Sequence, residues 1–171
     1  MRPLFMVWWV LPALIVSCRP EARPAATIDP PVAELTGEWR AALQFTSGAF
    51  ASVKHLEFMY VFNQGGTMTE SSNYDDSPPV PPAYGIWRKV SDRQFEAKYE
   101  FYVTKAPAAF GEIAKGGGWA PAGRGVFVER ITVSENGDSF SSRIRYDQYD
   151  TAGKSAEGGG EATGRGVRLK F

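Results

Sequence analysis

The sequence predicts an all-β protein built as a single up-and-down antiparallel barrel of about eight strands, preceded by a signal peptide and a proline-rich tether. From Leu35 onward, apolar and polar residues alternate with a period of two, which is typical of strands with one buried face. Short turns rich in glycine, asparagine and aspartate separate most of these segments. None of them has the roughly 3.6-residue periodicity of an amphipathic helix.

The first 17 residues have the features of an export signal. Arg2 precedes an apolar run over 4–16, which at 13 residues is shorter than the roughly 20 of a membrane-spanning helix. The run ends in Ile15-Val16-Ser17-Cys18, which resembles the lipobox of bacterial lipoproteins. The resemblance implies that Cys18 is lipidated and becomes the mature N-terminus. An ordinary signal peptide that ends near a cysteine is the alternative.

The segment 18–34 predicts an extended tether, because proline-rich chains are semi-rigid spacers. Its prolines are Pro20, Pro24, Pro30 and Pro31. The predicted organisation is therefore a signal peptide over 1–17, a lipidated cysteine and tether over 18–34, and a barrel domain over 35–171. We expect an exported protein that a lipid anchors to a membrane of the cell envelope, facing the periplasm or in the outer membrane if the cell is Gram-negative.

Eight segments are predicted as strands, each ended by a turn or loop. In chain order they cover about 35–45, 55–62, 67–72, 84–90, 95–101, 125–133, 139–149 and a glycine-rich stretch that ends in RGVRLKF. The turns NQGG, SDRQ, ENGD and DTAG join four pairs of strands, and Asn136-Gly137 is a strong hairpin signal because a type I′ turn needs positive φ at both central residues.

Two longer connections interrupt this pattern. The segment 73–83 has four prolines, which exclude a central strand. The segment 104–119 has Pro107 and three consecutive glycines, and predicts a long loop with at most one helical turn, at Phe110–Lys115. Sequential strands with mostly short turns favour a closed barrel, since closure removes exposed edges. A sandwich is the competing architecture, but it usually needs more long crossovers.

Composition excludes several classes of function. The 19 Lys and Arg residues balance the 19 Asp and Glu residues, which argues against nucleic-acid binding and against a polybasic membrane patch. His55 is the only histidine and Cys18 the only cysteine. We therefore predict no metal site, no cofactor and no catalytic residue, since a Gly-x-Ser-x-Gly elbow is also missing.

The motif Gly37-Glu38-Trp39 resembles the Gly-x-Trp of the lipocalins and the wider calycins. In that family the tryptophan closes one end of the barrel and an arginine near the chain end packs over its ring. The resemblance implies that Arg165 or Arg168 takes this part, as a cation–π contact of about 0.5–2 kcal/mol. The stretches FNQGGTMTESS and YGIWRKVSDRQFEAKYEF are similar to a group of short, uncharacterised bacterial proteins with lipocalin-like barrels, over most of 35–163.

Gly-x-Trp-Arg occurs a second time, as Gly85-Ile86-Trp87-Arg88. A closed barrel has two ends, so we expect Trp39 to plug one end and Trp87 the other. The alternative is that one of the two tryptophans lines a ligand cavity.

The predicted interior is rich in aromatic side chains. Glu70 and Glu129 share the parity of apolar neighbours, and if those faces point inward, an unpaired charge there is costly. Arg130, Arg143 and Arg145 are then the candidate partners, depending on strand register, and an outward face for the two acids is the alternative. Buried tyrosines also need hydrogen-bond partners. The candidate ligand-binding residues are Phe58, Tyr60, Phe62, Glu70, Tyr99, Phe101 and Tyr146.

Three functions remain open from the sequence. The first is a non-enzymatic barrel that binds a small apolar or aromatic ligand, because eight strands leave an interior that holds side chains or one small ligand. The second is a structural or partner-binding lipoprotein with a filled barrel. The third is a cyclase or isomerase that uses a buried carboxylate. The volume of the lumen separates the first from the second.

Overall fold

The computed structural model describes residues 34–74, 81–113, 115 and 118–171. The predicted signal peptide, Cys18 and the tether up to residue 33 lie outside the described residues, as does part of each long loop. Within the described part of the chain, no helix has the length and apolar character to cross a membrane.

The described residues form eight strands and one short helix. The strands are β1 (Gly37–Phe45), β2 (Leu56–Phe62), β3 (Thr67–Ser72), β4 (Ala83–Ser91), β5 (Gln94–Lys105), β6 (Ala120–Val133), β7 (Ser139–Tyr149) and β8 (Ser155–Arg168). The helix α1 (Phe110–Ile113) is a single turn between β5 and β6.

The strands form one closed antiparallel barrel in the order β1 to β8. Each strand pairs with the next along the chain, and β8 closes the barrel by pairing with β1 from Trp39↔Arg168 to Phe45↔Ala162. The prediction of an all-β, up-and-down barrel of eight strands is confirmed, and the sandwich is excluded.

Two strands are longer than the sequence predicts. β5 and β6 pair beyond Phe101↔Gly125 as far as Lys105↔Ala120, with a register shift between Val103 and Thr104. Thr104 pairs with Pro121 at this irregularity. Proline in a strand is tolerated at such bulges, which explains why this part of the hairpin reads as loop in the sequence.

The core lies inside the barrel, where large rings oppose very small residues. A Cβ atom at Gly166 would lie 2.1 Å from the ring of Phe140, and one at Gly125 would lie 2.3 Å from the ring of Phe101. Both distances are shorter than any van der Waals contact between carbon atoms. The glycines of β6 and β8 therefore give the neighbouring aromatic rings their space inside the barrel.

Candidate functional site

The barrel has two ends with different contents. We call the end where β1 begins and β8 finishes the tryptophan end, because Trp39 lies there. The opposite end, where β1 finishes and β8 begins, is called the cavity end. Odd-numbered strands run from the tryptophan end to the cavity end, and even-numbered strands run back.

At the tryptophan end, Trp39 is fully buried, and the one polar atom of its ring has a hydrogen-bond partner. Its Nε1 donates to the carbonyl of Leu35 at 2.8 Å, and its ring packs against that of Phe140 with 5.1 Å between centroids. The guanidinium carbon of Arg168 lies 4.1 Å from the centre of the Trp39 ring. This is the arrangement that the Gly-x-Trp resemblance implies, with Arg168 rather than Arg165 as the arginine.

Arg168 also joins the chain segments that meet at this end. It donates to the carbonyls of Thr36 at 2.6 Å, Gly137 at 2.9 Å and Glu34. Gly37 has a φ of 127°, and a Cβ there would lie 2.7 Å from Arg168 Nη1. Glycine before the tryptophan is thus required both by backbone conformation and by the arginine. Arg165 lies exposed on the outer face of β8 and does not reach Trp39.

The expectation that Trp87 plugs the opposite end is wrong. Trp87 Nε1 donates to the carbonyls of Asn63 and Thr67, each at 3.1 Å, in the turn between β2 and β3. That turn belongs to the tryptophan end, because Phe62 pairs with Gly37 there. Trp87 is half-buried and packs edge-on against Phe62, with 6.1 Å between ring centroids. Both tryptophans therefore pack at the same end.

A polar cluster lies in the middle of the barrel. Glu129 is 0% exposed, and its Oε2 accepts hydrogen bonds from Tyr60 at 3.1 Å and from Tyr99 at 2.9 Å. The two phenolic oxygens are 3.3 Å apart. Tyr60 lies on β2 and Glu129 on β6, so the hydrogen bond between them crosses the lumen. The side chains of the cluster fill the centre of the barrel.

Tyrosine hydroxyls, and not arginines, are the partners of this carboxyl group. The expected partners Arg130, Arg143 and Arg145 point out of the barrel, because they alternate with the inward residues Glu129 and Ile144. Burial raises the pKa of Glu129, an effect that the neighbouring hydroxyls of Ser142, Tyr99 and Tyr60 partly offset. Glu129 Oε1 and Ser142 Oγ make no well-formed hydrogen bond within the described residues.

Glu70 is the second buried carboxyl group and lies nearer the cavity end. It is 4% exposed, and its Oε1 has no hydrogen-bond partner within the described part of the chain. Burial, reinforced by the charge of Glu129, raises the pKa of Glu70 to about 8. Both Glu70 and Glu129 therefore face inward with their apolar neighbours, and the alternative of an outward face is excluded.

Glu70 lines a small cavity of about 30 Å³. The wall is mostly aromatic, and its lining residues are Phe45, Phe50, Leu56, Phe58, Glu70, Ser72, Tyr74, Pro81, Phe101 and Phe127. Space for one water needs roughly 10–15 Å³, so the cavity holds about two groups of that size. The rest of the lumen between this cavity and Trp39 is packed with side chains.

Three of the predicted ligand-binding residues line this cavity: Phe58, Glu70 and Phe101. Tyr60 and Tyr99 lie in the central polar cluster, and Phe62 lies towards the tryptophan end, stacked on Tyr60 with 5.4 Å between ring centroids. Tyr146 packs behind the cavity wall, with its ring 4.9 Å from that of Phe127. The structure thus divides the predicted set between a cavity and a packed interior.

The predicted ligand-binding set lacks seven of the ten lining residues, and two of these seven, Phe50 and Tyr74, lie in connections between strands. Their rings meet edge-to-face over the cavity end, with centroids 6.0 Å apart. Phe50 lies in the β1–β2 connection, and Tyr74 follows β3. Ser72 Oγ donates to the Tyr74 carbonyl at 2.8 Å. Neither residue belongs to an alternating segment, so only their aromatic character was available as a signal.

The site offers one carboxyl group inside an aromatic wall. Within the described residues, no three His, Cys, Asp or Glu side chains come together in a way that could hold a metal ion. No protein-family model matches the chain, and no curated protein or solved structure matches it. The eight-stranded antiparallel barrel is compatible with a lipocalin-like fold and with ligand binding.

Proposed function

We propose that this chain is a lipoprotein of the bacterial cell envelope whose lipocalin-like barrel binds a small apolar or aromatic ligand at the cavity end without catalysing a reaction. The observation that carries the proposal is the aromatic cavity with a single buried carboxyl group. A mostly apolar wall with few polar groups is the usual make-up of a small-molecule site. The opposite end is closed by Trp39 and Arg168, so a ligand enters past Phe50 and Tyr74.

Ligand binding requires these two rings to move. The cavity of about 30 Å³ is much smaller than the roughly 300–1,000 Å³ of drug-sized sites. Phe50 is half-buried, and Tyr74 is 39% exposed. Both rings belong to connections and not to paired strands, which makes them the part of the wall that moves at least cost.

A neutral fluorescent probe such as N-phenyl-1-naphthylamine tests the pocket in the domain 34–171. The variant Phe58→Trp fills the cavity, and we expect it to weaken probe binding while the far-UV circular dichroism spectrum stays that of wild type. The matched control is Met59→Trp, on the outer face of the same strand, where Met59 is 43% exposed. Equal loss of binding in both variants, or no binding by wild type, would contradict the proposal. Native mass spectrometry of the domain from its own host would identify a co-purifying ligand.

The lipobox supports membrane anchoring. If Cys18 carries the lipid, Cys18→Ala moves the protein from the membrane fraction to the soluble fraction or blocks its maturation. Stable anchoring takes more than one acyl chain, each buried methylene contributing about 0.8 kcal/mol. Unchanged membrane association of the Cys18→Ala protein would contradict the lipoprotein part of the proposal and leave the ligand site untouched.

A partner-binding lipoprotein with a filled barrel is the second candidate. It is favoured by the packing of the lumen, where Tyr60, Tyr99 and Glu129 occupy the centre. A wild-type domain that binds no probe and carries no small molecule from its host would leave this candidate as the better one. The cyclase or isomerase alternative has no comparable support, because Glu129 and its two tyrosines do not line the cavity.

A further inference from the structure

We infer that the ligand carries an ammonium group on an apolar body, and that Glu70 receives this group as a carboxylate inside the aromatic wall of the cavity. The inference rests on the proposed function, since it names the chemical class of the ligand for the same pocket.

One oxygen of the buried Glu70 carboxyl group has no partner within the described residues. This oxygen, Oε1, makes no hydrogen bond with any described residue although the side chain is 4% exposed. Buried acceptors in native proteins almost always have a donor, and leaving one without a donor is costly. Since Glu70 lines the cavity, a ligand that enters it with N–H groups supplies the donors that the protein does not.

The wall around this oxygen is mostly aromatic. Phenyl and phenol rings attract a cation to their faces, by about 0.5–2 kcal/mol per contact. The wall contains the rings of Phe58, Phe101 and Phe127, and those of Phe50 and Tyr74 lie over the mouth. A cavity of about 30 Å³ accommodates an ammonium nitrogen and one attached methylene. The remaining apolar body then extends between Phe50 and Tyr74.

The charges around Glu70 also favour a cation. Among the described residues, the titratable groups that face Glu70 are Glu129 from β6, Tyr60 from β2, Tyr99 from β5 and, across the cavity, Tyr74. None of these groups is cationic. Arg168, the inward-facing arginine of β8, is at the tryptophan end with its guanidinium on Trp39. Among the described ionisable groups, an anionic ligand would therefore meet only carboxyl groups and phenols, whereas a cation compensates the charge of Glu70.

Binding of a cation here is coupled to a proton. Burial and Glu129 raise the pKa of Glu70 to about 8, so the free pocket is protonated below that pH. An ammonium group binds the carboxylate form, and the protein releases a proton. Burial also raises the pKa values of Tyr60 and Tyr99 well above their ordinary range. Neither phenol therefore ionises in the pH range over which Glu70 titrates. Affinity for an amine should therefore increase from about pH 6 to about pH 8.

The test compares benzylamine with benzyl alcohol, which have the same shape and differ in charge. Isothermal titration calorimetry on the domain 34–171 should give at least about tenfold tighter binding of benzylamine at pH 8, and a smaller advantage at pH 6. Glu70→Gln should remove the preference and keep binding of the alcohol. Glu57→Gln, which neutralises an exposed carboxylate on the outer face of β2, should keep the preference.

The outcomes separate the two levels of the proposal. If both probes bind equally, with no effect of pH or of Glu70→Gln, the apolar pocket stands and the ammonium inference is overturned. If neither probe nor the neutral fluorescent compound binds wild type, the pocket itself is overturned and the inference with it. Even if Glu70→Gln does not fold, the wild-type protein tests the ammonium inference. Its preference for benzylamine over benzyl alcohol must then increase from pH 6 to pH 8, and a preference that does not change with pH overturns the inference.

Discussion

The two ends of this barrel differ in how their polar groups are satisfied. At the tryptophan end, Arg168 donates to three carbonyls and covers Trp39. At the cavity end, Glu70 has an oxygen without a donor and a neighbour that raises its pKa. At one end of the barrel, the arginine and the carbonyls around it are hydrogen-bonded to each other. At the other end, a buried carboxyl oxygen lacks a donor, which the proposed ligand would supply.

This difference would let one small domain combine rigidity with the ligand binding that we propose. The packed tryptophan end helps to hold the strands in register, because Trp39, Phe140 and Gly166 are in close contact there. The cavity end can then tolerate an unsatisfied group and rings that move. Stability is therefore expected to depend mainly on residues at the first end, and ligand affinity on residues at the second.

The largest expected effect comes from truncating one ring at each end. Trp39→Ala should lower the free energy of unfolding by about 3–5 kcal/mol, since the side chain is fully buried and leaves a cavity. Phe50→Ala should cost about 1 kcal/mol, because Phe50 is half-buried in a connection. Urea denaturation of both variants gives the comparison. Equal costs would show that the two ends do not divide the roles in this way.

The second effect is a pH dependence that originates at the cavity end and the centre. Unfolded Glu70 ionises near 4.5, whereas folded Glu70 stays protonated up to about 8. The unfolded state therefore binds fewer protons between these values, and stability falls as pH rises through that window, by about 1.4 kcal/mol per pH unit. Glu129, whose pKa is also raised, acts in the same direction.

Glu70→Gln removes one of these contributions. Between about pH 5 and about pH 7, the variant should lose about 2–3 kcal/mol less stability than wild type. Glu57→Gln, on the solvent side of β2, is the matched control and should follow wild type. Parallel curves for Glu70→Gln and wild type would mean that Glu70 is ionised in the folded protein across this range.

A third, smaller effect probes the packing at the tryptophan end. Gly166→Ala places a methyl group 2.1 Å from the Phe140 ring, and such overpacking costs about 1–3 kcal/mol. Gly111→Ala in α1 meets nothing within 4 Å and should change stability by less than about 1 kcal/mol. Thermal unfolding of the pair measures the difference. A neutral Gly166→Ala would show that Phe140 has room to move.

The smallest expected effect concerns the arginine over Trp39. Arg168→Lys keeps the charge but loses the planar group that donates to several carbonyls at once, and should cost about 0.5–2 kcal/mol. Arg165→Lys, on the outer face of the same strand, should leave the unfolding midpoint unchanged. If both variants behave alike, Arg168 contributes only its charge.

Much of this fold follows from the sequence, because a period of two determines which residues face inward. Alternation predicts the eight strands, and it places Glu70 and Glu129 on the same strand faces as their apolar neighbours. It also contains the information that Arg130 cannot partner Glu129, since adjacent residues of a strand point to opposite faces. Parity alone therefore excludes Arg130 as the partner of Glu129.

The end of the barrel at which Trp87 lies could not be predicted, because it depends on the register between strands. β3 and β4 are joined by a ten-residue connection, and only short hairpin turns fix register from sequence. In the structure Ile86 pairs with Thr67, the first residue of β3, so Trp87 lies level with the β2–β3 turn. Phe50 and Tyr74 could not be located for a related reason, since connections have no periodicity.

The loop that carries Phe50 rests directly on the glycine-rich start of β8. Thr46 and Ala49 donate to the carbonyls of Glu161 and Gly158, and a Cβ at Gly48 or Gly160 would lie 2.2 Å from the facing backbone. Backbone lies against backbone here, so any side chain added would lift the loop and its ring. We therefore expect substitutions at Gly48 or Gly160, which do not line the cavity, to change the volume of the cavity by moving Phe50.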